Sequence, residues 1–388
     1  MGAFIKSARQ GRRPDFAAAP GLAFWPVLSD FWQVLPVFVA YIRPFRPFLS
    51  SPFVSAQYLI VTLLNGISYG LLLFMLSAGL TLIFSLMGVL NFAHASFYML
   101  GAYLGWLLAG RAGFVAALLL APLLAGLAGA AFERWALRRA HPFGHVPELL
   151  ATFGLAYVLQ ELVQLAFGRG ALEFAPPPWL QGAALTLIGP PPQEAASAGG
   201  LRLVWGAAQG ADAAWCQAGA MCTPFAAMRA FMAAVALGML GALWLLLART
   251  RLGLVVQAAL THPQMAQALG HDVPRVQMTV FGCGTALAAL AGVLGGSAFV
   301  TEPGMAQALG PVIFVVVMVG GLSSLGGAFA ASLLLGLAQT LAVALDVTLI
   351  DTAQIRLTLA QLAPVLPYLL LVLTLAVRPQ GLMGRRLA

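Results

Sequence analysis

Residues Gln57 to Leu90 read QYLIVTLLNGISYGLLLFMLSAGLTLIFSLMGVL, a run without a single charge. It closes on Asn91-Phe92-Ala93-His94, after which a second apolar run lasts to Gly110. The first run is longer than the roughly 20 apolar residues that cross a bilayer as a helix. Polar side chains at membrane depth are expensive and usually face a bundle interior or a water-filled path. On helical spacing, Asn91, His94, Tyr98, Gly101 and Gly105 recur three and four apart and form one stripe. Phe92, Phe97, Leu100, Leu104 and Leu107 fall elsewhere, where contact with lipid is expected. A neighbouring helix or a permeating molecule is expected against the small, polar face.

Composition agrees with a membrane reading. The chain has 388 residues, of which 61% are hydrophobic and 8% charged, and a mean hydropathy of +0.91. A soluble domain of that length needs more charge on its surface. The apolar stretches are far longer than the alternating ten-residue segments of an outer-membrane barrel, so the spans are helical. A net charge of +8 invites a nucleic-acid reading, but the 19 Arg cluster at the ends of apolar runs, and Lys6 is the one lysine. That arrangement is topological information and not a nucleic-acid surface. A phosphate-cradling loop needs its Gly-Lys-Ser/Thr, so this chain is no P-loop ATPase. No nucleophile–base set, HExxH or metal-ligand cluster points to an enzyme or a metal site.

Apolar segments near 58–86, 92–110, 113–135, 148–168, 226–248, 276–300, 309–322, 325–345 and 362–378 predict an all-α polytopic membrane protein with about eight to nine transmembrane segments. Arg134, Arg138 and Arg139 mark one loop as cytoplasmic, Arg249, Arg251 and Arg275 a second, and Arg378, Arg385 and Arg386 the C-terminus. The nearly neutral loop 169–225 then lies outside. It carries Pro176-Pro177-Pro178 and Pro190-Pro191-Pro192, and also Cys216 and Cys222. A disulfide between those cysteines suits an exported loop, although nearness in sequence does not set the geometry. Residues 1–56 form an N-terminal extension that could hold an extra or interfacial helix. Near 309–327, Gly320-Gly321 and Gly326-Gly327 bracket a turn. This predicts a discontinuous or re-entrant element, with a plain helical hairpin as the simpler alternative. The first half shows no clear counterpart to that break.

Between Arg249 and Arg275, the stretch from Arg251 to Ala259 starts a short helix that Thr261-His262-Pro263 interrupts. Met265, Ala266 and Leu269 follow at helical spacing, and Gly270 offers a stop. A short amphipathic helix held between two spans suits docking into a groove on a cytoplasmic partner, or lying on the bilayer surface. Among polar residues within spans, Asn65, Thr81, Asn91, His94 and Tyr98 are candidates to line a path. Helix packing is the competing role for each. Most acidic residues fall in loops, unlike the buried carboxylate rows of ion-coupled carriers.

A series of motifs resembles the branched-chain amino acid ABC-transporter permeases of the LivH type. It comprises Leu64-Asn65-Gly66-Ile67-Ser68-Tyr69-Gly70, Gly79-Leu80-Thr81-Leu82-Ile83-Phe84, Asn91-Phe92-Ala93-His94 and Met99-Leu100-Gly101-Ala102-Tyr103. Further along come Glu133-Arg134, Thr250-Arg251-Leu252-Gly253, the turn from Gly320 to Ala328, and Arg378-Pro379-Gln380-Gly381-Leu382. The match spans roughly 57–384, the expected permease domain. The resemblance implies a multi-pass protein of the bacterial inner membrane that translocates branched-chain or related amino acids by alternating access. It also implies a second homologous permease, two cytoplasmic ATPases that bind the ATP, and a periplasmic substrate-binding protein. No cofactor is expected on this chain. Loop 249–275 then resembles the coupling loop, with Gly253, Gln257, Ala259, Pro263, Gln264 and Gly270 as candidate contacts to the ATPase. Gln257 stands where the pattern commonly has Arg, His271 where an aliphatic residue is usual, and the external loop is expanded. Relatives of this kind also carry urea or short amides. An ion-coupled secondary carrier is the remaining alternative.

Overall fold

The computed structural model describes residues 56–189, 202–210, 213–214, 216, 222–261, 263–345, 348–351 and 356–383. The N-terminal extension lies outside the described residues, apart from Ala56.

The first helix, α1 (Ala56–Met87), has 32 residues. At about 1.5 Å per residue it is about 48 Å long, enough to cross a membrane with tilt. It stops at Gly88, whose φ of +67° suits a residue without a Cβ. Its amide donates to Phe84 O at 2.8 Å. The Asn91 side-chain oxygen then accepts from the Ala93 amide at 3.1 Å, a local turn that starts α2 (His94–Ala112). Asn91 therefore acts locally, turning the chain from one helix into the next.

Helix α3 (Phe114–Phe132) continues through a π-type turn, Glu133–Leu137, to Phe143. Helix α4 (His145–Phe167) returns. After it, β1 (Ala183–Ile188), β2 (Arg202–Trp205) and β3 (Cys222–Ala226) pair antiparallel in the order β2-β1-β3. A disulfide joins Cys216 to Cys222 beside this sheet, with Cα atoms 5.8 Å apart. Helix α5 (Ala227–Arg249) leads to two short helices, α6 (Arg251–Thr261) and α7 (Pro263–Ala268). Asp272 then accepts from the Arg275 amide to cap α8 (Val273–Ala298). Helices α9 (Met305–Gly320) and α10 (Leu325–Leu345) meet at Gly321, φ +102°. A hairpin, β4 (Thr348–Asp351) and β5 (Arg356–Thr358), precedes α11 (Leu359–Leu362) and α12 (Leu366–Val377).

Six of these helices are long and apolar enough to cross a membrane, while Met305–Gly320 and Leu366–Val377 are shorter apolar helices. With α2 between them, they account for the apolar segments legible in the sequence. The chain is a multi-pass membrane protein. Large apolar side chains on the outer helices are bare, as at Leu119, Leu123 and Leu127 of α3, which follow one helical face. In a bilayer, such a face meets lipid.

Helix α8 lies at the centre and packs against α1, α2 and α3. Small residues allow the close approach. A Cβ on Gly126 would come 2.9 Å from Gly282 O, and one on Gly282 would come 2.9 Å from Gly126 O. Gly101 of α2 meets the Ala289 backbone, and Gly105 meets Val293. On the other side, Gly70 of α1 and Gly336 of α10 pack backbone to backbone. The same order of elements occurs twice. A long central helix, a six-residue break, a shorter helix and a further long helix form α1–α2–α3 and again α8–α9–α10. Packing exchanges between the sets, α1 against α10 and α8 against α3. The break at 88–93 thus has a counterpart at 299–304, which the sequence did not show.

One further expectation is corrected. Phe97, assigned to a lipid face, is 1% exposed, because α3, α4, α8 and α9 all pack on α2 and leave it little contact with lipid. The Arg378–Leu382 motif is a helix cap. Leu382 and Met383 amides donate to Val319 O at 2.7 Å and Gly320 O at 3.1 Å, satisfying carbonyls that end α9.

Replacing Gly101 by Val forces a side chain into the α8 backbone. The expected cost is at least the ~1–3 kcal/mol of an overpacked core. Gly110→Ala, with open space around it, is expected to change stability by no more than about 1 kcal/mol. Thermal unfolding in detergent, followed by monodispersity, compares the two.

Candidate functional site

The polar residues singled out in the sequence separate into different places. Thr81, Asn91, His94 and Tyr98 are all buried, between 0% and 2% exposed. The His94 Nε2–H donates to Leu76 O of α1 at 2.8 Å. Gly79 of α1 approaches the His94 ring, and Gly292 of α8 approaches the Tyr98 backbone. The polar stripe on α2 therefore faces α1 and α8 at close range. Thr81 Oγ1, Asn91 Nδ2 and His94 Nδ1 have no hydrogen-bond partner among the described residues.

Asn65 lies elsewhere, in a cavity of about 760 Å³ at the end of the bundle that carries the β1–β3 sheet. The cavity is walled by the start of α1, the start of α5, the residue after α8, the start of α9 and the end of α10. Its polar lining includes Thr62, Asn65, Tyr69, Arg229, Gln339 and Thr340. Val61, Leu309, Val312 and Val343 supply an aliphatic wall. Arg229 Nη1 donates to Asn65 Oδ1 at 2.7 Å. Its guanidinium also lies 5.7 Å from the centre of the Phe299 ring, a cation–π arrangement. Tyr69 meets the same ring edge-on, with centroids 6.2 Å apart. Arg229 was absent from the sequence-derived candidates. The available signal was its solitude: it lies inside an apolar segment, away from every Arg cluster.

The opposite end carries Arg138, Arg139, Arg249, Arg275 and Arg378 at helix termini. There α6 and α7 pack beneath the bundle. Val256, Ala259 and Ala266 join one buried cluster with Ile83, Leu86 and Met87 of α1 and with Val273 and Phe281 of α8. Thr250 Oγ1 accepts from the Gly253 amide at 3.1 Å, which sets the start of α6. Gln257 Nε2 donates to Leu247 O at 3.0 Å, binding α6 to α5. Gly253 and Ala259 are buried against the bundle, so neither presents itself to a partner. Gln257, Gln264 and Gly270 are on the exposed face, together with Leu254, Met265 and Leu269. The Pro263 side chain lies outside the described residues.

Two carboxylates at this end are buried. Glu133 and Glu148 are each 1% exposed. Glu133 pairs with Arg138 at 3.1 Å, and Arg138 Nη2 also donates to Pro274 O at 2.8 Å, bridging α3 and α8. Glu148 is paired with His141 and with His145. Glu133 lies on the π-type turn that continues α3, and Glu148 on the first turn of α4. Among the described residues, no group of His, Cys, Asp and Glu could hold a metal ion.

A polytopic helical bundle with a polar cavity at one end and docked short helices at the other has the layout of a membrane permease. The family described as "Branched-chain amino acid transport system / permease component" matches residues 62–375, and the chain belongs to it. It is similar to the high-affinity branched-chain amino acid transport system permease protein LivH of Escherichia coli (strain K12), 27% identical over 344 residues, which cover 84% of this chain and 96% of that protein. LivH of Salmonella typhimurium is 26% identical over the same shares. BraD of Pseudomonas aeruginosa is 27% identical over 334 residues, 83% of this chain and 95% of BraD. No solved structure matches the chain. Membership makes the chain a permease component of a transport system.

His94→Leu removes a buried hydrogen bond, at an expected cost of about 1–3 kcal/mol. If the α2 stripe serves packing, less folded protein is recovered while uptake per assembled transporter stays at the wild-type level. Quantitative recovery from membranes and uptake in proteoliposomes measure the two separately.

Proposed function

We propose that this chain is a permease subunit of an ABC importer in the bacterial inner membrane, and that the importer carries branched-chain amino acids. The names of LivH and BraD support the substrate class. The Arg-rich end supports a cytoplasmic placement by the positive-inside rule. The end with the sheet and the Cys216–Cys222 disulfide then faces the periplasm, where disulfides persist. Alternating passes agree with this from α1 through α12.

The observation that carries the reading is the seat of α6 and α7. They rest on the end of α1 and the start of α8, the two central helices, and leave Gln264 and Leu269 uncovered. Two cytoplasmic ATPases would bind the ATP, and one would press on this uncovered face. Movement there reaches both central helices directly, because the buried cluster has few ways to deform without moving its neighbours. A second, homologous permease would complete the path, and a periplasmic binding protein would deliver the substrate. No cofactor on this chain is needed. An ion-coupled carrier is disfavoured, since the buried acids Glu133 and Glu148 are paired at one end of the bundle instead of lining the cavity.

A cysteine at Gln264 is expected to crosslink to the ATPase, with a yield that changes on ATP binding, whereas one at buried Ala259 is expected not to react. Transport that persists with no crosslink from Gln264 or Leu269 would sink the coupling role.

A further inference from the structure

Arg229 is a cation inside an apolar segment, and no anion pairs with it among the described residues. Among the described residues no salt bridge to Arg229 is formed, and its contacts are the Asn65 amide oxygen and the Phe299 ring. An arginine at a membrane boundary normally extends outward to water or lipid headgroups. This one is drawn inward, towards α1 and the break after α8. Those contacts hold the guanidinium in place and use one of its five N–H donors, leaving the rest of the fork for a planar, two-oxygen anion. A charge that is half-buried and unpaired is costly, which favours any ligand that supplies the missing anion.

A second observation lies in the same cavity. Gln339 Nε2 reaches Ala363 O at 3.4 Å, while Gln339 Oε1 is buried with no hydrogen-bond partner among the described residues. Gln339 and Arg229 both line the cavity, one an unmet acceptor and the other a cation with donors to spare. Together with the aliphatic wall of Val61, Leu309, Val312 and Val343, these groups complement a zwitterion that bears an apolar side chain.

Resting on the amino-acid reading above, we propose that Arg229 is the carboxylate-recognising residue of the permease itself. Asn65 and Phe299 position its guanidinium, and Gln339 accepts a hydrogen bond from the α-ammonium group of the substrate. The cavity is thus a receiving site for the free amino acid once the binding protein lets go, and it selects against neutral amides. A bidentate contact to the guanidinium is lost when the substrate's carboxylate is replaced by an amide, and a site built for a polar group discriminates strongly when that group is left unpaired.

The test uses the complete transporter in proteoliposomes with its binding protein and L-leucine as the probe. Arg229→Gln is expected to lower L-leucine uptake at saturating loaded binding protein at least tenfold, with ATPase activity still stimulated by the binding protein. Arg229→Lys is expected to retain an intermediate rate, and Gln339→Leu to lose several-fold. Arg229→Cys adds a control that a purely structural role would not satisfy. Uptake should return after modification with a methanethiosulfonate carrying an ammonium group, and not with one carrying a sulfonate or a methyl group. The same reagents on the wild type control for Cys283. Wild-type uptake of L-leucine with Arg229→Gln unimpaired would overturn this proposal alone. So would equal rescue by the methyl reagent, or an Arg229→Gln variant that loses bound phospholipid while transport is unchanged. A wild-type complex that carries urea or acetamide and no L-leucine would remove the amino-acid reading, and this proposal with it.

Discussion

Lipid chains are as apolar as leucine, so no hydrophobic force presses one membrane helix onto another. Close packing has to hold the helices together instead, and in this protein it depends on α8. Gly282, Ala289 and Gly292 let α3 and α2 approach α8 almost backbone to backbone, and Gly70 with Gly336 does the same for α1 and α10. The rest of the structure follows from that approach. With α1 and α8 held at the centre, one end of each lies over α6 and α7. The opposite ends bring Asn65 and Phe299 to Arg229.

The polar groups of the bundle occur at three depths and are treated differently at each. In the interior, His94 bonds to a helix carbonyl, and Tyr98 is packed against glycine. At the Arg-rich end, the buried carboxylates of Glu133 and Glu148 are paired, and Arg138 ties α3 to the start of α8. Buried charges left single there would cost several kcal/mol. In the cavity, by contrast, Arg229 is held by neutral neighbours alone among the described residues. That contrast, more than cavity size, separates the site from the scaffold.

Much of the fold is legible in the amino-acid sequence. A run as long as Gln57–Leu90 and the punctuation by Arg and Gly each report local physics, and each matches an observed helix or break, whereas the Thr261–Pro263 interruption turns on His262, which lies outside the described residues. The candidate site was much less legible. Asn65 was selected and lies in the cavity, but Thr81, Asn91, His94 and Tyr98 were selected by the same criterion and lie in packed interior. Helical periodicity says that these residues share a face. It does not say what covers that face, and here α8 does. Ala259 illustrates the same limit, since the short helix was foreseen while the side turned to the bundle was not.

Composition, apolar run length and charge placement therefore determined by themselves that this chain crosses a membrane many times, where it turns and which loops carry its basic residues. Those properties depend on neighbours in sequence and on the bilayer as solvent. Tertiary structure alone decided the pairing of the two helical sets, the burial of the Asn91–His94 stripe and the meeting of Asn65, Arg229, Phe299 and Gln339. Asn65 and Arg229 are far apart in the chain. Their contact exists only because close glycine packing fixes where each helix begins and which way it faces.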